Sequence, residues 1–129
     1  MKPATEPSRD PLPPAVLRYA ELFGARDFDG IRALLAEDVR LDLVGHSQRA
    51  GRAAVGRYYE NYGTLCDFRV EAAWFEGRAV LAFFAEVRDE VPAYVIALTE
   101  ERGAVTSIRD YRYVPYLVSE ATVAFERSR

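Results

Sequence analysis

The sequence predicts an α+β fold with helices packed on one face of a curved antiparallel sheet. Three observations predict it. Apolar residues recur at helical spacing through most of the first half of the chain, up to Gly63. From Phe68 onward the segments are alternating or continuously apolar and rich in β-branched and aromatic residues. Short turn sequences (EG at 76–77, DEVP at 89–92, ERG at 101–103) cut that second half into four consecutive strands, a meander.

The elements follow in order. PAVLRYAELFG, 14–24, reads as a first helix. Pro14 suits its first turn, Val16, Tyr19, Leu22 and Phe23 share a face, and Gly24 is a C-terminal stop. Asp27 or Asp29 caps a second short helix whose apolar face is Ile31, Leu34 and Leu35. VRLDLVGH, 39–46, alternates as a strand with Val39, Leu41 and Leu43 on one side and Arg40 and Asp42 on the other. Gly45 and Gly51 bracket a turn or short strand, and 51–63 forms a third helix with Val55, Tyr58, Tyr59 and Tyr62 inward. FRVEAAWF alternates with Phe68, Val70, Ala72 and Trp74 together. RAVLAFFAEVR, 78–88, is nearly continuous in apolar residues and is expected to be covered on both faces. AYVIALTE and AVTSIRDYRYV complete the meander. The first 13 residues carry four prolines and read as a linker-like leader, 14–118 as the domain and 119–129 as a tail.

Composition narrows the function. The 129 residues fit one domain, and half are hydrophobic, enough for a core. With 17 basic against 20 acidic residues the net charge of −3 argues against direct nucleic-acid binding. Cys66 is the single cysteine, which excludes an internal disulfide and a cysteine-based metal site and is consistent with a reducing cytoplasm. No apolar run approaches a membrane span, and no cofactor motif is present. His46, the one histidine, lies in a glycine-flanked loop and reads either as a functional base or as an exposed side chain. No metal site is expected around it.

Asp110 poses the main question. It stands in the strand-like IRDYRYVPY with Arg109 and Arg112 close by. It is either a charge held by an arginine or a carboxylate aimed into a pocket. Trp74, Phe68, Phe84 and Tyr94 line that pocket or belong to the core; the residues alone leave both open.

The segments YAELFGARDFDGIRALLAEDVRLDL, GRAAVGRYYENY and GAVTSIRDYRY resemble the nuclear-transport-factor-2-like superfamily, SnoaL-like branch, over about residues 14–116. The resemblance implies a cone: a bent mixed sheet wrapped around three helices with a pocket at its open end, and commonly a homodimer. LDLVG, GRAAVGRYYENY, the PAYV strand and IRDYRYVPY are similar, more narrowly, to the SnoaL-like domain that follows the DNA-binding parts of extracytoplasmic-function sigma factors. That likeness implies a regulatory, cytoplasmic, ligand-binding domain in contact with sigma-factor or RNA polymerase domains.

Two enzyme relatives imply site residues. Tyr19 matches the oxyanion-stabilising tyrosine of ketosteroid isomerase, and Tyr59 with Asn61 matches its Y-A-N segment; Leu43 and Val95 stand where its two carboxyls would be. RDY resembles the W-R-D-Y strand of limonene epoxide hydrolase, which implies that Asp110 faces the pocket with Ile108 and Arg112. Glu86 falls near that enzyme's second Asp, and Phe84 replaces the Arg between them. The expected catalytic set is Asp110, Glu86 and Tyr19. The expected ligand-binding set is Tyr59, Trp74, Phe84, Leu43, Val95, Arg112 and His46, around a small apolar molecule and without a cofactor. A cofactor-free hydrolase, isomerase or cyclase is the alternative to the regulatory reading.

Overall fold

The computed structural model describes residues 11–65, 67–113 and 125–127. α1 (Pro14–Gly24) begins with Pro14 in its first turn and buries Ala15, Val16, Tyr19, Leu22 and Phe23. α2 (Phe28–Leu34) is capped by Asp27, whose carboxylate accepts the Gly30 N–H at 2.9 Å. Gly30 is needed there because a Cβ would meet that carboxylate and Leu22 at 2.9 Å. Leu35, expected on the helix face, opens β1 (Leu35–Leu43) instead. β2 (Ser47–Ala50) follows across the turn that holds His46.

The expected third helix is segmented: α3 (Arg52–Gly56), a 3₁₀ turn (Arg57–Tyr59) and α4 (Glu60–Gly63). Its four inward positions, Val55, Tyr58, Tyr59 and Tyr62, are all buried. The meander is β3 (Arg69–Phe75), β4 (Arg78–Phe84), β5 (Tyr94–Glu101) and β6 (Ala104–Asp110). The turn between β3 and β4 places both Glu76 and Gly77 at positive φ, 51° and 76°, a hairpin conformation that suits glycine. β4 stops at Phe84, earlier than the apolar run implied, because Arg69 ties the following turn down by donating to the Val87 and Asp89 carbonyls.

The seven strands of the described residues run β2-β1-β6-β5-β4-β3-β7, with β7 being Phe125–Arg127. β1 and β6 are parallel and every other pair is antiparallel, so the curved sheet is mixed. β7 pairs with β3 from within the segment read as a tail; the leader before residue 11 and positions 114–124 lie outside the described residues. Register decides which side chains meet the helices. Leu43 pairs with Asp110, Asp110 with Ile96, and Ile96 with Leu81, so these four form one row on the concave face. Phe83 and Tyr94 form the next pair on that face, with rings stacked at 4.7 Å. Phe23, at zero exposure, meets Tyr62 at 5.0 Å and Phe68 at 5.8 Å, joining α1 to this aromatic core. No helix among the described residues is long and apolar enough to cross a membrane.

Candidate functional site

Asp110 is the only fully buried charged residue among those described. Burial of a carboxylate costs free energy unless hydrogen bonds replace its water. Three donors do so here. Tyr58 and Tyr62 each donate a phenolic O–H to Oδ2, Tyr62 at 2.7 Å, and the backbone N–H of Arg112 donates to Oδ1 at 2.8 Å. The helical segment 52–63 supplies both phenols because positions 58 and 62 are four apart and share a face.

A proton count extends the network. With Asp110 ionised, Tyr62 commits its one proton to the carboxylate. The Tyr62–Tyr94 contact at 2.6 Å is therefore donated by Tyr94. The chain of O–H groups runs Tyr94 to Tyr62 to Asp110 and leaves lone pairs on the Tyr94 oxygen as its outward end. Protonating Asp110 allows the chain to reverse, and Tyr94 then donates its proton outward instead of to Tyr62. A second phenol pair, Tyr19 and Tyr59, is joined at 2.8 Å. No buried side-chain polar atom among the described residues lacks a partner.

Electrostatics follow from burial. Desolvation raises the Asp110 pKa above the ordinary carboxylate value of 3.8, while the Tyr58, Tyr62 and Arg112 N–H bonds pull it back. Burial pushes Tyr19, Tyr58, Tyr59, Tyr62 and Tyr94 up, so all five are neutral phenols at pH 7. Desolvation by itself would lower the Arg112 pKa, but Tyr62, Tyr94 and Asp110 outweigh it and the guanidinium is held charged.

The sequence-derived residues separate into two groups. Asp110 faces the helices, where Tyr58 and Tyr62 bond it, and Leu43 stands beside it. Arg112 lies over the Tyr62 ring at 5.3 Å. Trp74 is half-buried in the concave-face row of β3. Tyr19 and Tyr59 are buried together, whereas Asn61 is exposed. His46 is exposed and stacks on Tyr113 at 4.4 Å.

Three positions require correction. Phe84 and Val95 belong to the opposite sheet face; Phe83 and Tyr94 take the concave positions, and Phe84 instead lies under the Arg69 guanidinium at 3.9 Å. The continuous apolar run of β4 carries no alternation from which that parity could be read. Glu86 is exposed in the turn after β4, where its N–H donates to the Asp89 carboxylate at 3.1 Å. It is not among the groups that bond Asp110.

Tyr58 and Tyr62 are the site residues that sequence reasoning did not assign, and Tyr94 was named only as pocket lining or core. The signal was present: buried phenols need partners, and YYENY places two at one helical spacing. No group of three or more histidine, cysteine, aspartate or glutamate side chains among the described residues is arranged to hold a metal ion.

Comparison with known proteins adds the following. A family model for the SnoaL-like domain matches residues 16–113. A bacterial protein with a cystatin-like fold from Silicibacter pomeroyi is 26% identical with a TM-score of 0.61, covering 86% of this chain and 84% of that one. A ketosteroid-isomerase candidate from Kribbella flavida is 24% identical with a TM-score of 0.54, covering 74% and 73%. A polyketide-cyclase candidate from Sinorhizobium meliloti is 18% identical with a TM-score of 0.57, covering 78% and 95%. No curated protein matches the sequence.

Proposed function

The chain belongs to the SnoaL-like domain family, and on that premise we propose that it binds a small, largely apolar molecule against the Tyr94–Tyr62–Asp110 network in a regulatory capacity. The observation that carries this reading is the state of Asp110. Both of its oxygens accept hydrogen bonds from within the protein, and none of its surface is exposed. A general base must reach the proton it takes, directly or through one water. Asp110 meets phenols there, and the exposed Glu86 supplies no second carboxyl. The network instead gives the concave face a fixed polar point in aromatic surroundings, which is how apolar pockets orient a ligand.

The regulatory setting rests on LDLVG, GRAAVGRYYENY and IRDYRYVPY, which are similar to the domain attached to extracytoplasmic-function sigma factors. Sigma-factor or RNA polymerase domains are the protein partners of this proposal, with a homodimer as its oligomeric state and the cytoplasm as its location. A hollow of about 330 Å³ at the β2–β1–β6 side of the sheet supports an acidic protein partner: Arg40, Arg49 and Arg109 line it against the single carboxylate of Asp42.

The alternative is a cofactor-free acid–base enzyme of isomerase, cyclase or hydrolase type. The continuous O–H chain from Asp110 to Tyr94 favours it, because a relayed proton could reach a ligand through Tyr94. Incubation with a panel of apolar ketones, epoxides and aromatic compounds separates the readings. Binding without conversion supports the first. Conversion that is lost in Asp110→Asn supports the second.

A further inference from the structure

We propose that Arg112 is an anion anchor and that the ligand is a flat apolar carboxylic acid, bound as its carboxylate; this rests on the ligand-binding reading above.

Arg112 differs from the half-buried Arg32, Arg69 and Arg109, whose guanidiniums meet carbonyl or carboxylate oxygens. Arg32 donates to the Gly56 carbonyl and Asp29, Arg69 to the Val87 and Asp89 carbonyls, and Arg109 pairs with Asp42 at 3.5 Å. Among the described residues the Arg112 guanidinium has ring contacts only: Tyr62 at 5.3 Å and Tyr113 at 5.6 Å. Ring faces stabilise its charge but leave its five N–H donors without a carbonyl or carboxylate acceptor among the described residues. Asp110 lies close enough to be felt electrostatically, yet its oxygens are taken by Tyr58, Tyr62 and the Arg112 backbone N–H. A planar fork of donors at the edge of an aromatic network matches a carboxylate in two-point geometry, which a lysine would not reproduce.

The surroundings define the rest of the ligand. Tyr113 is 45% exposed and stacks on His46, so aromatic surface adjoins the cation. The Tyr94 hydroxyl is coupled electrostatically to Arg112 and presents lone pairs when Asp110 is ionised. This arrangement fits an aromatic or conjugated acid whose body lies on rings while its carboxylate meets Arg112.

The test uses 2-naphthoate and its neutral isostere 2-naphthamide, titrated calorimetrically into the full chain and into Arg112→Gln, Arg112→Lys and the exposed-turn control Arg88→Gln. The wild type and Arg88→Gln are expected to bind the acid about tenfold or more tightly over the amide, the ordinary worth of a charged hydrogen bond. Arg112→Gln erases the preference and keeps amide affinity; Arg112→Lys, which retains the charge and guards against a folding defect, keeps part of it. Equal affinity for the two probes in the wild type, or a preference that persists in Arg112→Gln, overturns the anchor and leaves the ligand-binding reading standing. Failure of both probes to bind overturns the anchor and counts against the ligand-binding reading as well.

Discussion

Tyr62 donates its hydroxyl proton to Oδ2 of Asp110 at 2.7 Å, linking α4 to the last residue of β6. Tyr58 donates to the same oxygen from one turn earlier. Two phenols on one acceptor, together with a backbone N–H on the other, replace the water that a carboxylate loses on burial. Stability and the proposed ligand binding therefore meet at one residue pair.

Removing either phenol leaves the buried carboxylate short of a donor. Tyr58→Phe and Tyr62→Phe are each expected to cost about 1.5–3 kcal/mol, the range for hydrogen bonds to charged groups. Tyr94→Phe leaves all three Asp110 bonds intact and is expected to cost only about 0.5–1.5 kcal/mol. Urea unfolding of the three variants checks the order, and a Tyr94→Phe loss as large as that of Tyr62→Phe would refute it.

Asp110 gives a pH signature with a definite sign. Its folded pKa is raised above 3.8, chiefly by desolvation. The folded state therefore holds the proton more tightly than the unfolded chain. The stability this contributes is full below the unfolded value and is lost as pH rises through the folded value. The stability gap between wild type and Asp110→Asn should accordingly be widest below about pH 4 and narrow as pH rises through the folded value. Parallel denaturation curves across that window check it, and a gap that widens with pH would show that the carboxylate is stabilised in its charged form.

The phenol pair Tyr19–Tyr59 behaves differently because neither partner carries charge at pH 7. Tyr19→Phe and Tyr59→Phe are each expected to destabilise by about 1–3 kcal/mol, since each leaves a buried hydroxyl unpaired. The double variant should cost less than the sum, because it removes both groups together. A double-mutant cycle measures the difference; strict additivity would mean the two hydroxyls do not depend on each other.

Glu86 is exposed, and its backbone rather than its carboxylate makes the contact in its turn. Glu86→Gln is expected to change stability by less than about 0.5 kcal/mol and to leave ligand binding unchanged. A loss of binding in this variant would restore the paired-carboxylate reading.

The fold was largely legible because periodicity reports burial. Val16, Tyr19, Leu22 and Phe23 recur at helical spacing, and all four are buried on α1. The three turns of the meander lie where glycine and proline mark them. The site was less legible. Tyr58 and Tyr62 could be read as buried, but nothing local reveals that their hydroxyls converge on residue 110 from across the sheet. The orientation of Asp110 came from resemblance, since the tyrosines around it made the other face look more apolar. Phe84 and Val95 were placed by the enzyme resemblances, and their own sequence could not correct the face because each lies in an unbroken apolar run, where parity is set by pairing with neighbouring strands. Glu86 was placed by resemblance to the hydrolase's second Asp, but strand pairing ends at Phe84 and leaves it in an exposed turn.

The most direct test of the central claim is native mass spectrometry of the full chain after incubation with the apolar small-molecule panel, followed by release and mass determination of whatever is retained. The account predicts a retained compound, recovered with unchanged mass, whose retention falls in Tyr94→Phe. A panel from which nothing is retained, or a retained compound converted to product by the wild type but not by Asp110→Asn, would contradict it.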